Sequence, residues 1–161
     1  MSAKVYWRGF WAIVLGGVIM RLISLCPFGF YGDVPLQLGA MRTNTVELNF
    51  PGYMPIQLLF SVLARCGLTP FGAMWLVSLT FGMGSVIYVA LAARREAGPA
   101  FSLMAAVVMS FGILPLYFSV VGATYAADML CASAMVFHGS IFLENRKTRV
   151  TLPWPGSVLE S

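Results

Sequence analysis

Four long apolar runs, separated by short polar stretches, dominate this sequence. They extend over about residues 9–27, 71–93, 100–121 and 124–143. A helix needs about 20 apolar residues to cross the hydrocarbon core of a bilayer, and each run has roughly that length. We therefore predict an all-α membrane protein with about four transmembrane helices, because a helix satisfies its own backbone hydrogen bonds in lipid.

The composition agrees with lipid as the surrounding solvent. Of 161 residues, 59% are hydrophobic and 10% are charged, whereas an ordinary soluble domain has about 25% charged residues. The net charge of +4 does not indicate binding to nucleic acid, because most basic residues lie at the ends of the apolar runs. We interpret this charge as an orientation signal, since Lys and Arg stay on the cytoplasmic side of a membrane.

A fifth apolar segment, residues 53–66, is shorter than the others. Its length is typical of an interfacial or re-entrant helix rather than of a full span. If it crossed, with the N-terminus cytoplasmic, Arg94 and Arg95 and the basic residues after position 145 would lie outside the cell. If it does not cross, seven basic residues lie inside: Lys4, Arg8, Arg94, Arg95, Arg146, Lys147 and Arg149. The positive-inside rule favours the second layout.

This layout divides the chain into one membrane domain, residues 1–149, and an irregular tail, residues 150–161. Residues 28–70 form an outer loop with one or two short interfacial helices, at about 34–41 and at 53–66. The N-terminus is predicted to be cytoplasmic. We expect the bacterial inner membrane as the location.

Three of the six acidic residues, Asp33, Glu47 and Asp128, are predicted on the outer face. Their oxygens suit a divalent cation such as Mg²⁺ or Mn²⁺, and one of them could instead act as a general base. A structural alternative is that Asp33 caps a short helix and that Asp128 begins the last helix, where negative charge is favoured. The spacing leaves these interpretations open.

Three apolar segments contain polar or small residues that need an explanation. Arg21, near the end of the first run, either extends its side chain to the interface or binds an anionic headgroup or phosphate. The glycines of residues 81–85 are predicted to permit close helix packing. The lone histidine, His138, is predicted to be a packing or interface residue.

The order of several short motifs resembles the N-terminal part of the GT-C-type membrane glycosyltransferases, which include the protein O-mannosyltransferases. The resemblance covers about residues 10–149. It rests on five stretches in this order: Arg21-Leu22, Gly32-Asp33-Val34-Pro35-Leu36-Gln37-Leu38-Gly39-Ala40, Asn49-Phe50-Pro51-Gly52-Tyr53-Met54-Pro55, Ala92-Ala93-Arg94-Arg95 and Ala123-Thr124-Tyr125-Ala126-Ala127-Asp128.

The resemblance implies transfer of a sugar from a polyprenyl-phosphate donor to an acceptor on the extracytoplasmic face. Asp33 would be the essential acidic residue of the first outer loop, and Asp128 the second, each catalytic or holding the divalent cation. The candidate substrate and phosphate residues are Arg42, Glu47, Tyr53 and Tyr125.

This chain differs from that family in its number of spans, because family members have many more than four. We expect a truncated product, a split subunit completed by a membrane partner, or a degenerate paralogue. The alternative function is a non-catalytic small membrane subunit that packs against a larger membrane protein. A small transporter is less favoured, because no charged residue sits in the middle of a predicted span apart from the off-centre Arg21.

Overall fold

The computed structural model describes residues 1–24, 54–121 and 123–151, which form six helices and no strand. The helices are α1 (Ala3–Ser24), α2 (Met54–Arg65), α3 (Pro70–Ala97), α4 (Pro99–Phe111), α5 (Ile113–Val121) and α6 (Ala123–Thr151). The prediction of an all-α membrane protein is confirmed at this level. Three helices are long and apolar enough to cross a bilayer, over Ala3–Ser24, Phe71–Ala97 and Tyr125–Asn145.

The predicted span at 100–121 is divided into the shorter helices α4 and α5. Pro115 within this run predicts a kink, because a proline removes a helical hydrogen bond. The helix is instead interrupted at Gly112, whose backbone is extended with φ −61° and ψ 140°. Pro115 explains the interruption, because it has no N–H for the carbonyl of Phe111 and its ring would collide with that carbonyl in a continuous helix. The break therefore falls in the turn before the proline.

Local sequence signals mark both ends of α3. Its first turn begins at Pro70, and the N–H of Gly72 donates to the hydroxyl of Thr69 over 3.1 Å, which is an N-cap. Its last turn is followed by Gly98 at φ 89°, a conformation that glycine adopts without steric cost. Pro99 then starts α4, so that α3 and α4 form a tight antiparallel hairpin.

Contacts between helix ends give their directions. The guanidinium of Arg94, at the end of α3, lies 4.3 Å from the ring centroid of Tyr6, near the start of α1. Arg95 forms an ion pair with Glu144, near the end of α6. Helices α1 and α4 therefore run in one direction, and α3 and α6 run in the opposite direction.

We call the end of the bundle that holds Arg94, Arg95 and Glu144 the charged end. It also contains the start of α1 and the last turns of α6, so the seven basic residues that were predicted to share one side lie on helix segments at this end. Asp128 lies near the start of α6 and thus at the other end, which we call the Asp128 end.

The core lies between α1, α3 and α4, around Tyr6, Phe10, Val86 and Ala106. The hydroxyl of Ser102 donates to the carbonyl of Ala90 over 2.7 Å. Because that bond uses the serine proton, the hydroxyl of Tyr6 donates to Ser102 over 2.8 Å. Every polar atom of this group is thereby paired inside the apolar core.

Close packing at the glycines of residues 81–85 is confirmed. A Cβ atom placed on Gly84 would lie 2.8 Å from Cδ1 of Leu130, so α6 packs directly against the backbone of α3. His138 is in contact with Tyr88, with 5.6 Å between ring centroids, as expected for a packing residue.

Helix α2 has 12 residues, which correspond to about 18 Å and fall short of the roughly 30 Å hydrocarbon core. Ile56 and Leu63 pack against Met74 and Val77 of α3. The prediction of a short helix at 53–66 is therefore confirmed, and its place at the membrane boundary stays a prediction. The short helix predicted at 34–41 lies outside the described residues.

Candidate functional site

Two of the predicted site residues, Tyr125 and Asp128, lie on α6 at the Asp128 end. The side chains of both are exposed. Asp128 is the sixth residue of α6 and lies in its second turn, and the first turn contains no acidic residue. The structural alternative for Asp128, that it begins the helix, is therefore wrong, because the favourable effect of the helix dipole fades within the first turn. An exposed carboxylate without that role remains available for chemistry.

Arg21 is the most buried charged residue that the structure describes at this end. Its side chain is 1% exposed, and its guanidinium Nη1 donates to the carbonyls of Gly17 over 3.1 Å and of Ser110 over 3.0 Å. Nη2 donates to the carbonyl of Met109 over 3.1 Å. The prediction that Arg21 extends to the interface is wrong, because its side chain is enclosed between α1 and α4.

The interruption at Gly112 explains why a guanidinium lies there. The last carbonyls of a helix have no partner within that helix, and Met109 and Ser110 belong to the last turn of α4. In lipid such groups need another donor. Arg21 supplies two N–H groups and a positive charge, which the negative end of a helix dipole favours. These contacts assign Arg21 to the C-terminus of α4 and give no support to its alternative role as a phosphate ligand.

The close contact between α1 and α4 depends on small residues beside Arg21. A Cβ atom on Gly17 would lie 2.9 Å from both Cβ and Oγ of Ser110 and 3.3 Å from Nη1 of Arg21. Ser110 is fully buried, and within the described part of the chain its hydroxyl has no hydrogen-bond partner.

The other predicted site residues, Asp33, Arg42, Glu47 and Tyr53, lie outside the described residues. Of the predicted set, the described site therefore contains only Tyr125 and Asp128. Among residues 1–24, 54–121 and 123–151, no group of three His, Cys, Asp or Glu side chains could hold a metal ion. The prediction that Asp33 and Asp128 together hold a cation is not tested by this observation, because Asp33 lies outside those ranges.

A second arrangement of polar side chains, which the sequence did not reveal, lies at the charged end. A cavity of about 520 Å³ between α3 and α6 is lined by Arg95, Glu96, Ser140 and Glu144 together with Val136 and Leu143. In the sequence, Glu96 and Glu144 lie beside clusters of basic residues, and this pattern does not predict a shared cavity. The one available signal was the spacing of Ser140 and Glu144, which places them on one face of a helix.

The chain was compared with protein-family models, with curated proteins and with solved structures, and it matches none of them.

Proposed function

We propose that this chain is a GT-C-like membrane glycosyltransferase component that transfers a sugar from a polyprenyl-phosphate donor to an acceptor at the Asp128 end. The supporting observation is the direction of the helices. The end of α1 and the start of α6 share one end of the bundle, so Ser24, nine residues before Asp33 in the sequence, lies at the end where Asp128 is exposed. A joint site of Asp33 and Asp128 requires this arrangement.

The proposed reaction is a displacement at the anomeric carbon of the donor sugar. Asp33 accepts the proton of an acceptor hydroxyl, whose oxygen forms a bond to the anomeric carbon. The bond from that carbon to the lipid phosphate breaks, and its electron pair leaves with the phosphate. Asp128 would help to hold a divalent cation, which would neutralise the phosphate charge, and Arg42 would add a second positive charge.

The exposure of Tyr125, which is 40% exposed, fits a substrate contact near Asp128. The side chain of tyrosine offers an apolar ring face and a hydroxyl, and both suit contact with a sugar ring at the membrane surface. Tyr53 and Glu47 complete the proposed set. The extracytoplasmic face belongs to this proposal, because it follows from the charge distribution through the positive-inside rule, and the bacterial inner membrane is its proposed location.

The test is an assay of sugar transfer in membrane vesicles that contain the full chain and a radiolabelled polyprenyl-phosphate sugar. We expect transfer to fall by about 100-fold or more in Asp33→Asn and Asp128→Asn, the lower range for the loss of a general base or of a charge-stabilising group. Glu160→Gln is the matched control, because the proposed site gives this carboxylate no role. Transfer that survives both aspartate changes would refute the proposal.

A non-catalytic membrane subunit is the second candidate, and the exposure of α6 favours it. Among the three long helices that the structure describes, α6 is the least buried, and Met135 on its outer face is 74% exposed. A photo-crosslinking amino acid at position 135 that joins a second membrane protein, in vesicles without transfer activity, would favour this candidate over the enzyme.

A further inference from the structure

The cavity at the charged end combines both signs of charge with apolar walls. Arg95 contributes a guanidinium, and Glu96 and Glu144 contribute two carboxylates, while Ser140, Val136 and Leu143 complete the lining. Arg95 and Glu144 form an ion pair across it, from α3 to α6. These residues lie at the ends of spans Phe71–Ala97 and Tyr125–Asn145, which is the level of lipid headgroups.

An apolar cavity continues from this polar one toward the middle of the span. It has a volume of about 330 Å³, and its walls come from Ala92 on α3, Met109 on α4, and Met129 and Ala132 on α6. Val136 lines both cavities, so the two meet at this residue. The cavity exists because α4 and α6 both pack against α3 and leave a cleft between them.

The length of the combined cleft matches one leaflet of a bilayer. Glu144 and Met129 mark its two ends on α6, and the helix rises about 22 Å between them. Half of a bilayer, counted with its headgroup region, measures about 20–22 Å. A single phospholipid therefore fits with its headgroup at Arg95 and one acyl chain along Val136 and Met129.

We propose that this cleft binds one zwitterionic phospholipid with a primary amine, of the phosphatidylethanolamine type. Its phosphate accepts hydrogen bonds from Arg95, and its ammonium group donates to the carboxylates of Glu96 and Glu144. An anionic headgroup of the phosphatidylglycerol type could offer the same phosphate to Arg95, but it has no cation for the two carboxylates. A choline headgroup has no N–H to donate. The site lies at the opposite end from Asp128, so this proposal does not depend on sugar transfer.

Native mass spectrometry of the full chain, released from nanodiscs with equal amounts of phosphatidylethanolamine, phosphatidylcholine and phosphatidylglycerol, tests this proposal. We expect phosphatidylethanolamine to be retained about tenfold over either competitor, the weak end of what one hydrogen bond to a charged group contributes. Equal retention of the three lipids, or a preference for phosphatidylglycerol, would overturn the headgroup assignment.

Three variants test where the lipid binds. Ala132→Phe fills the apolar cavity and is expected to reduce retained lipid to background, whereas Met135→Phe, on the same helix but outside the cavity walls, is expected to retain it. Glu96→Gln changes an exposed side chain, so folding is preserved, and it is expected to reduce the preference for the amine over choline. If Glu96→Gln leaves that preference unchanged, or if both phenylalanine variants retain lipid equally, the cleft is not the site.

Discussion

At the scale of single residues, Gly17 sets how closely α1 approaches α4. Its missing side chain allows Ser110 and the guanidinium of Arg21 to occupy the space where a Cβ would lie, at 2.9 and 3.3 Å from that position. Neither neighbour can retreat easily, because Ser110 Cβ is attached to the backbone and Arg21 is held by three carbonyls. The glycine is therefore a packing requirement and not a flexible point.

We expect Gly17→Ala to lower the free energy of unfolding by about 1–3 kcal/mol, the usual cost of overpacking a tight contact. The matched control is Gly139→Ala on α6, where no atom lies within 4 Å of the added Cβ. That change should be neutral or stabilising by up to about 1 kcal/mol, because alanine favours the helix. Unfolding in detergent micelles measures both, and equal effects of the two changes would contradict this account of Gly17.

At the scale of helices, the break between α4 and α5 and the burial of Arg21 are one feature. The sequence predicted a disturbance from Pro115, since a proline in a helix removes a hydrogen bond wherever it occurs. It did not predict that Arg21 compensates for the break, because Met109 and Ser110 are 88 and 89 residues away along the chain. Short sequence patterns predict local structure, whereas this contact depends on how α1 packs against α4.

A double-mutant cycle tests the connection between Arg21 and Pro115. Arg21→Leu should lower the free energy of unfolding by about 2 kcal/mol, because it leaves buried carbonyls of α4 without a donor. In a Pro115→Leu background, α4 can continue into α5 and satisfy those carbonyls itself. The cost of Arg21→Leu should then shrink by about 1 kcal/mol or more, as expected for residues that share partners.

The control for this cycle is Arg65→Leu, which changes an exposed arginine at the end of α2. Its effect should be small and should be the same in both backgrounds. Unfolding by heat or by denaturing detergent, followed by circular dichroism, gives the four free energies. Additive effects of Arg21→Leu and Pro115→Leu would show that the guanidinium does not compensate for the break.

At the scale of the whole molecule, alternation of helix direction was predictable from charge, and the sites were only partly predictable. The count of Lys and Arg favoured a layout in which residues 53–66 do not cross. In that layout the start of α1 and the end of α3 lie on one side, and the contact of Arg94 with Tyr6 and Trp7 joins these two helix ends. The cleft at Arg95 and Glu144 was not predictable, because it depends on the gap between α4 and α6. Asp128 was predictable as a candidate by type, but its place in the second turn was not.

The direction of the helices leads to a prediction about membrane sidedness. Ser2→Cys and Ala97→Cys, each made in a chain whose three cysteines (Cys26, Cys66 and Cys131) are changed to serine, should both react with a membrane-impermeant maleimide from the cytoplasmic side. The native Cys66, which is exposed in the turn between α2 and α3 and is kept as the single cysteine of a third variant, should react only from the opposite side.

The pair of positions 2 and 97 is the informative one, because α3 separates positions 66 and 97 in any layout. If α2 crossed the membrane as well, positions 2 and 97 would be labelled from opposite sides. The cation–π contact between Arg94 and Tyr6 would then have to form across the bilayer, which a side chain a few ångströms long cannot do. Labelling of both from one side keeps Ser24, at the end of α1, and Asp128 at a common surface, and only on such a surface can Asp33 and Asp128 act on the same donor.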